Sequence, residues 1–160
     1  MYRVGIGFDA HRFSRGRKLV LGGVEIPFEL GLEGHSDADV LTHAICDAIL
    51  GAIGENDIGS HFPDSDSRYK GVSSLVLLEQ VRALSNSRDF KIENIDSTVV
   101  CERPKLSAYI SQMKKKLSSV IQVSEDSLGI KATTTDSMGF TGRGEGIAAY
   151  AVALVKKATI

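Results

Sequence analysis

The chain lacks most of what would commit it to a charged, oxidised or membrane-bound role. Its 160 residues carry a formal net charge of −1, so no global field draws it to nucleic acid or to an anionic membrane. Any phosphate it binds must be held by local groups. Only two cysteines are present, Cys46 and Cys101, and they form no C-x-x-C pair, which argues against a thiolate zinc site. Lone, apolar-flanked cysteines suit burial and a reducing compartment, so the expected setting is cytoplasmic. No run of about 18 apolar residues exists to span a membrane, and Met1-Tyr2-Arg3-Val4-Gly5 reads as neither a signal nor a transit peptide. Repeats, low-complexity tracts and linkers are also missing. Residues 1–160 are therefore expected to form one domain, long enough to bury a core without staples.

The pattern that is present reads as α+β. Tyr2, Val4, Ile6 and Phe8 alternate with Arg3, Gly5 and Gly7, a strand signature. Leu19-Val20-Leu21 and Val24-Glu25-Ile26 flank Gly22-Gly23, a hairpin turn. After a glycine-punctuated loop over 27–34, an apolar stripe from Val40 to Ile53 has helical spacing, with Ser36 or Asp37 placed to cap it. A long polar loop over 54–72 follows, and loops of that length are often functional. A second helix is expected over 74–84 and a strand over 95–102. Leu106 to Val120 marks a third helix with Pro104 near its start. A strand over 130–135, a glycine-rich loop over 136–146 and a last strand over 147–155 complete the chain. The overall expectation is a four-stranded mixed sheet covered on one face by three helices, with a small N-terminal hairpin. The last strand, Ile-Ala-Ala-Tyr-Ala-Val-Ala-Leu-Val, is apolar on both faces, so the other face is expected to pack on another subunit.

Asp9 and His11 lie two residues apart where the first strand is expected to end. In an extended chain they project to one side, with Cα atoms roughly 6.6 Å apart, on the glycine face opposite Tyr2, Val4, Ile6 and Phe8. His43 sits on the first helix, away from its apolar stripe. Two imidazoles and a carboxylate leave a fourth position open, the arrangement of a catalytic zinc. On spacing alone, three unrelated surface side chains fit equally well. Asp39 and Asp47 flank His43 by about one helical turn and either can orient its ring; a solvated helix face is the alternative.

Gly5-x-Gly7-x-x-Ala10 resembles a dinucleotide fingerprint, but that motif must open a helix, and Arg12 to Arg17 has no apolar helical stripe. There is no Walker A sequence and no nucleophile triad. Lys131 to Gly146 is more informative: Thr133, Thr134 and Thr135 offer hydroxyls and backbone N–H groups, and the glycines permit close approach to a ligand. Asp136 suits a hard cation such as Mg²⁺. A plain turn-rich loop remains the alternative. His35-Ser36, at a helix start, can receive a phosphate, or His35 is an exposed loop histidine. Together these pieces favour metal-assisted phosphoryl chemistry.

At this point the residues match a known family. Gly7-Phe8-Asp9-Ala10-His11, Leu21-Gly22-Gly23-Val24, His35-Ser36-Asp37-Ala38-Asp39-Val40, Asp57-Ile58-Gly59, Phe62-Pro63-Asp64-Ser65-Asp66 and Lys131 to Gly146 resemble the 2-C-methyl-D-erythritol 2,4-cyclodiphosphate synthases of non-mevalonate isoprenoid biosynthesis. The matches run from one end of the chain to the other, and Thr-Thr-Thr-x-x-x-Gly-Phe-Thr-Gly-Arg-Gly-Glu-Gly is highly specific. The resemblance implies a phosphorus–oxygen lyase. In 4-diphosphocytidyl-2-C-methyl-D-erythritol 2-phosphate, the 2-phosphate attacks the β-phosphorus, CMP leaves and a cyclic diphosphate forms. It implies zinc at Asp9, His11 and His43, and a second divalent cation, Mg²⁺ or Mn²⁺, at Asp136. It gives His35 and Thr134 catalytic roles beside the reacting phosphates. Substrate contacts would also come from Ser36, from Asp57, Ile58 and Gly59, and from Phe62, Pro63, Asp64, Ser65 and Asp66. The cytosine pocket would comprise Cys101, Pro104, Lys105, Leu106, Ser107, Ala132, Thr133, Thr134 and Thr135, supplied by the neighbouring subunit of a homotrimer. Phe140 and Arg143 also belong to the implied substrate set. Arg143 and Glu145 would line a central cavity open to an isoprenoid diphosphate.

One departure stands out. The family usually carries Glu where this chain has Asp136, one methylene shorter, so the loop or the ion must shift or a water must intervene; metal binding is expected to survive with altered affinity. Two other classes use similar parts: a phosphohydrolase, told apart by an open product, and a non-catalytic diphosphate-binding module, told apart by the absence of turnover.

Overall fold

A computed structural model describes residues 1–158. Its sheet has five strands in the order β4-β1-β7-β5-β6: β1 Tyr2–Ser14, β4 Gly31–Leu32, β5 Phe90–Val100, β6 Leu128–Thr133 and β7 Gly146–Lys157. β7 pairs antiparallel with both β1 and β5, while β5 and β6 are parallel, so the sheet is mixed, as expected. The count differs by one: the 27–34 loop is not wholly irregular, because Gly31 and Leu32 pair with Ser14 and Phe13. That pairing exists because β1 runs on to Ser14, past the expected end at Asp9 and His11. Asp9 and His11 are therefore interior strand residues, fixed by pairing with Ala149 and Ile147.

The hairpin is β2 Leu19–Leu21 against β3 Val24–Ile26. Gly22 and Gly23 both take positive φ, 55° and 71°, which a two-residue turn between twisted strands requires. Three long helices cover one face: α1 Val40–Ile53, α3 Ser74–Ser87 and α4 Ile110–Ile121. Two four-residue helices, α2 Ile58–His61 and α5 Gly139–Gly142, and a 3₁₀ turn at Ser67–Tyr69 punctuate loops that the sequence left irregular. α4 starts later than its apolar pattern suggests, because Leu106 is buried ahead of the helix and Tyr109 occupies the N-cap.

α1 is the spine of the core. Twelve of its fourteen residues are buried, more than the one stripe its pattern promises, because the sheet, the hairpin and α3 enclose it. It lies directly on the backbone of β1: a Cβ on Gly7 would fall 1.9 Å from the Ala44 carbonyl oxygen, and one on Gly5 would fall 2.1 Å from that of Ala48. The inward face of β1 is thus Gly5, Gly7, Asp9 and His11, while Tyr2, Val4, Ile6 and Phe8 point outward and are exposed. Tyr150 and Val152 of β7 join them, with the Phe8 and Tyr150 rings 4.8 Å apart. The sheet therefore leaves one apolar face uncovered in the single chain.

The cap of α1 is neither Ser36 nor Asp37. It is Asp39, fully buried, whose carboxylate accepts from the Thr42 N–H at 3.0 Å and the Thr42 hydroxyl at 2.7 Å. The same carboxylate accepts from the N–H groups of Gly22 at 2.9 Å and Gly23 at 2.7 Å. Asp39 thus bolts the hairpin turn to the start of α1, and its carboxylate is spent on those four donors and not on the His43 ring.

Candidate metal centre and flanking clefts

The paired strand and the buried helix carry three donor atoms to one point. His11 Nε2 lies 2.8 Å from Asp9 Oδ2, His43 Nδ1 lies 3.0 Å from the same oxygen, and the two ring nitrogens are 3.3 Å apart. Ligands about 2.0–2.1 Å from a tetrahedral ion are separated by roughly 3.3 Å, so the triangle needs to open by only a few tenths of an ångström to hold one. Among the described residues, Asp9, His11 and His43 are the group able to hold a metal ion.

The outer nitrogens decide what the inner ones present. His11 Nδ1 is 2.7 Å from the Glu33 carbonyl oxygen, which only accepts, so Nδ1 carries the proton and Nε2 of the neutral ring faces the centre bare. His43 Nε2 is held by the hydroxyls of Ser36 at 3.1 Å and Ser74 at 2.9 Å. Partners of this kind fix ring orientation and tautomer at metal sites. Burial pushes the Asp9 carboxyl up, but hydrogen bonds and charge from His11 and His43 outweigh it and hold it well below the usual carboxylate range. Burial likewise depresses His11, yet Asp9 and the Glu33 carbonyl leave it raised. The centre is a place where positive charge is stabilised.

The cleft at this centre is lined by Asp9, His11, His35, Ser36, His43, Ile58, Gly59, Phe62 and Asp64, with Gly34, Tyr69 and Leu77. Much of the sequence-predicted set is thus brought together. Asp57 stands just outside as the N-cap of α2, accepting from the Ser60 N–H at 2.8 Å and its hydroxyl at 3.0 Å; those bonds hold its carboxyl below the ordinary value. Asp47 does not reach the His43 ring: it accepts from the Ile58 N–H at 2.7 Å and pins α2 to α1. Asp66 caps the 3₁₀ turn and pairs with Arg68 at 2.6 Å, while its carbonyl lies 3.3 Å from His35 Nε2. Phe62 packs edge-on against Tyr69. Pro63 and Ser65 belong to the same loop. Neither lines the cleft.

Cys101, Pro104, Lys105, Leu106, Ser107, Ala132, Thr133 and Thr134 line a second cleft together with Glu102. It shares no residue with the first: His35 lines one cleft and Thr134 the other. Burial and the Glu102 charge push the Cys101 thiol up to about 11, which leaves it protonated and unreactive near neutrality. Thr135 is tied to Thr141 at 2.9 Å. Asp136 and Ser137 both adopt positive φ, 50° and 66°, in a turn whose Thr135 and Ser137 N–H groups donate to Glu102 Oε1 at 3.0 and 3.3 Å. Asp136 is exposed, with Oδ1 3.3 Å from the Thr134 hydroxyl. Phe140 faces the exposed apolar side with Phe8 and Tyr150. Arg143 and Glu145 pair at 2.7 Å.

Beyond the paired serines Ser73-Ser74 at a helix start, Glu33, Tyr69, Ser74 and Leu77 carry no functional signal in the sequence, and Asp37 reads there as a helix cap, not as a partner of Ser74. Each acts through the fold, by a carbonyl, a hydroxyl, a carboxylate or a lining surface contributed from a distant segment.

Residues 2–156 match the model of the YgbB family. A 2-C-methyl-D-erythritol 2,4-cyclodiphosphate synthase of Caldicellulosiruptor bescii is 61% identical, covering 97% of this chain and 99% of that protein. One of Syntrophus aciditrophicus is 59% identical, covering 97% and 98%. Among solved structures, the CDP complex of IspF from Plasmodium falciparum is similar with a TM-score of 0.86 at 31% identity, over 99% of this chain and 97% of that one. The bifunctional IspDF of Campylobacter jejuni gives a TM-score of 0.95 at 39% identity over 99% of this chain, which spans 43% of that longer chain.

Proposed function

The chain belongs to the YgbB family, whose matched relatives are 2-C-methyl-D-erythritol 2,4-cyclodiphosphate synthases, and from that premise we propose how its residues carry the reaction. It converts 4-diphosphocytidyl-2-C-methyl-D-erythritol 2-phosphate to the 2,4-cyclodiphosphate and CMP, as a phosphorus–oxygen lyase of isoprenoid biosynthesis. The carrying observation is the convergence of Asp9, His11 and His43 at the head of a cleft.

Asp9, His11 and His43 would hold zinc, and Asp136 a second divalent cation, Mg²⁺ or Mn²⁺. When bound, such ions supply Lewis acidity and offset the repulsion between two phosphate anions. The chain's own work is positioning. His35 and the Ser36 region flank the centre and hold phosphate oxygens, and Asp57, Ile58, Gly59 and the Phe62 to Asp66 loop hold the ribose and the methylerythritol portion. Thr134 steadies the reacting phosphates from the other cleft, where Cys101 to Ser107 and Ala132 to Thr135 receive cytosine. Folding one substrate so that its own ends meet makes the step unimolecular, and effective molarity then lowers the barrier by at most about 7–11 kcal/mol. An oxygen of the 2-phosphate bonds to the β-phosphorus as the bond to the CMP oxygen breaks. The attacking phosphate is already ionised, so no general base is required.

Because His35 and Thr134 line separate clefts, a complete site needs two chains. The uncovered apolar sheet face supports a homotrimer with sites at its interfaces. Arg143 and Glu145 would then border a central cavity suited to an isoprenoid diphosphate, with Phe140 kept to the substrate set. A cytoplasmic setting is supported by two free, buried thiols; no helix among the described residues is long and apolar enough to cross a membrane.

Phosphorus NMR of the purified protein with the cytidyl substrate, Zn²⁺ and Mg²⁺ tests this reading. CMP and a two-phosphorus cyclic diphosphate are expected, with the Mg²⁺ requirement shifted by the shorter Asp136 side chain. An open bisphosphate would mean that water outcompetes the 2-phosphate, and the cyclisation reading would fail.

A further inference from the structure

The proton on His43 is fixed from outside the metal centre. Ser74 opens α3, and its side chain stands between two groups of opposite demand. On one side Asp37 accepts from the Ser74 N–H at 3.0 Å and, through its other oxygen, from the Ser74 hydroxyl in a very short hydrogen bond. On the other side the Ser74 oxygen lies 2.9 Å from His43 Nε2. An ionised carboxylate only accepts, so the single hydroxyl proton of Ser74 is committed to Asp37. What Ser74 offers His43 is then a lone pair, so Nε2 carries a proton, and any proton that Nδ1 shares with Asp9 Oδ2 at 3.0 Å belongs to the charged ring and leaves when a metal binds. Ser36 fits either polarity, since its hydroxyl keeps both a proton and a lone pair to offer. Its oxygen accepts from the Ala38 N–H at 3.2 Å and lies 3.1 Å from His43 Nε2. With Nε2 protonated, the neutral ring points a bare Nδ1 at Asp9 and His11.

We propose that Asp37 and Ser74 form a positioning relay, carboxylate to hydroxyl to imidazole, that holds His43 in the one tautomer able to ligate a metal through Nδ1. Ser74 is fully buried, does not itself line the cleft and reaches the centre only through the outer nitrogen of the His43 ring, so it is a positioning residue and not a ligand. The relay also ties α3 to the centre, because both Ser74 bonds to Asp37 originate at the first residue of that helix. Had Asp37 been an alanine, Ser74 could turn its proton to Nε2, place the ring proton on Nδ1 and aim it at the carboxylate of Asp9. The site would then exchange a bare donor for a hydrogen bond that an ion must break.

This inference rests on the metal reading of the site. The test is the zinc affinity of the full-length chain, measured by competition with a chromophoric chelator, for the parent, Ser74→Ala and Ser74→Thr. Removal of a group that orients a metal-ligating histidine typically costs about 10–100-fold in affinity. Ser74→Ala is expected near the lower end, about tenfold, because Ser36 remains. Ser74→Thr, which keeps the hydroxyl, is expected to bind within a few-fold of the parent. A parent that binds no zinc would overturn the metal reading itself. A parent that binds, with Ser74→Ala equal to it, would overturn the relay alone. Nitrogen-15 spectra of the parent protein, zinc-free and zinc-loaded, read the tautomer even if a variant fails to fold. Zinc on Nδ1 with a slowly exchanging Nε2 proton is expected, whereas a protonated Nδ1 in the neutral zinc-free ring, or zinc on Nε2, would refute it.

Discussion

At the scale of single residues, the centre works by opposing burial with charge. His11 in the metal-free chain sits above its usual value of 6.5, since the Asp9 carboxylate and the Glu33 carbonyl overcome its desolvation. A raised folded value means that the charged pair contributes fully to stability below the unfolded value and that this contribution is lost as pH rises through the folded one. Zinc runs the other way, because it binds the neutral ring and releases the proton. The rise in melting temperature on adding zinc is therefore expected to grow across the window that runs upward from the ordinary histidine value of 6.5. Calorimetry with and without zinc checks this, and a shift that stays flat over that window would contradict it. The ligands themselves were legible in the sequence: a two-residue spacing in a strand puts Asp9 and His11 on one side, and the structure does so. What was not legible is why His43 meets them. The sequence placed it on an outward helix face, but α1 is enclosed on nearly all sides, so that face opens onto the cleft. Asp39 and Asp47 looked like equivalent neighbours of the ring. They do neither of the things their helical spacing suggested, because a residue's phase on a helix says nothing of which loop will fold against it.

At the scale of elements, the hairpin and α1 stand or fall together. One buried carboxylate satisfies four donors, two from the Gly22-Gly23 turn and two from Thr42. Replacing Asp39 with alanine removes a helix cap, worth roughly 0.5–2 kcal/mol, and orphans turn amides at about 1–3 kcal/mol for a buried group. A loss of about 3 kcal/mol in a urea titration is expected, with Asp39→Asn losing less, since its amide oxygen still accepts. A change under about 0.5 kcal/mol would place the joint elsewhere. The hairpin was readable to the residue, because Gly-Gly between alternating runs has a single favoured geometry. The two-residue β4 was not, since its pairing depends on how far β1 extends. Nor were α2 and α5, each only four residues long, because one helical turn carries no periodicity to detect.

For the whole molecule, the uncovered sheet face is the dominant fact. Six large apolar or aromatic side chains from β1 and β7 stand in the open, Ile6 at 71% exposure, in a contiguous patch of the kind that marks an interface. Ile6→Asp combined with Val152→Asp is expected to give a one-chain mass by light scattering and to abolish turnover. Zinc affinity should survive, because one chain supplies all three ligands. An assembled, active double variant would refute the trimer reading. The two-sided apolar character of the last strand was visible in the sequence. The inversion in β1 was not expected, for its apolar side faces out and its glycines face in.

That inversion has a mechanical consequence. Where α1 meets β1, main chain rests on main chain at Gly5 and Gly7, with no side chains between them to compress, hop between rotamers or be exchanged for others. The contact works as a hard stop. It sets the span between the strand that carries Asp9 and His11 and the helix that carries His43, much as a machined shoulder sets the depth of a fitting. Tolerances elsewhere in the core, loose or tight, do not accumulate across that joint, so the three donors keep their spacing even where the surrounding packing varies.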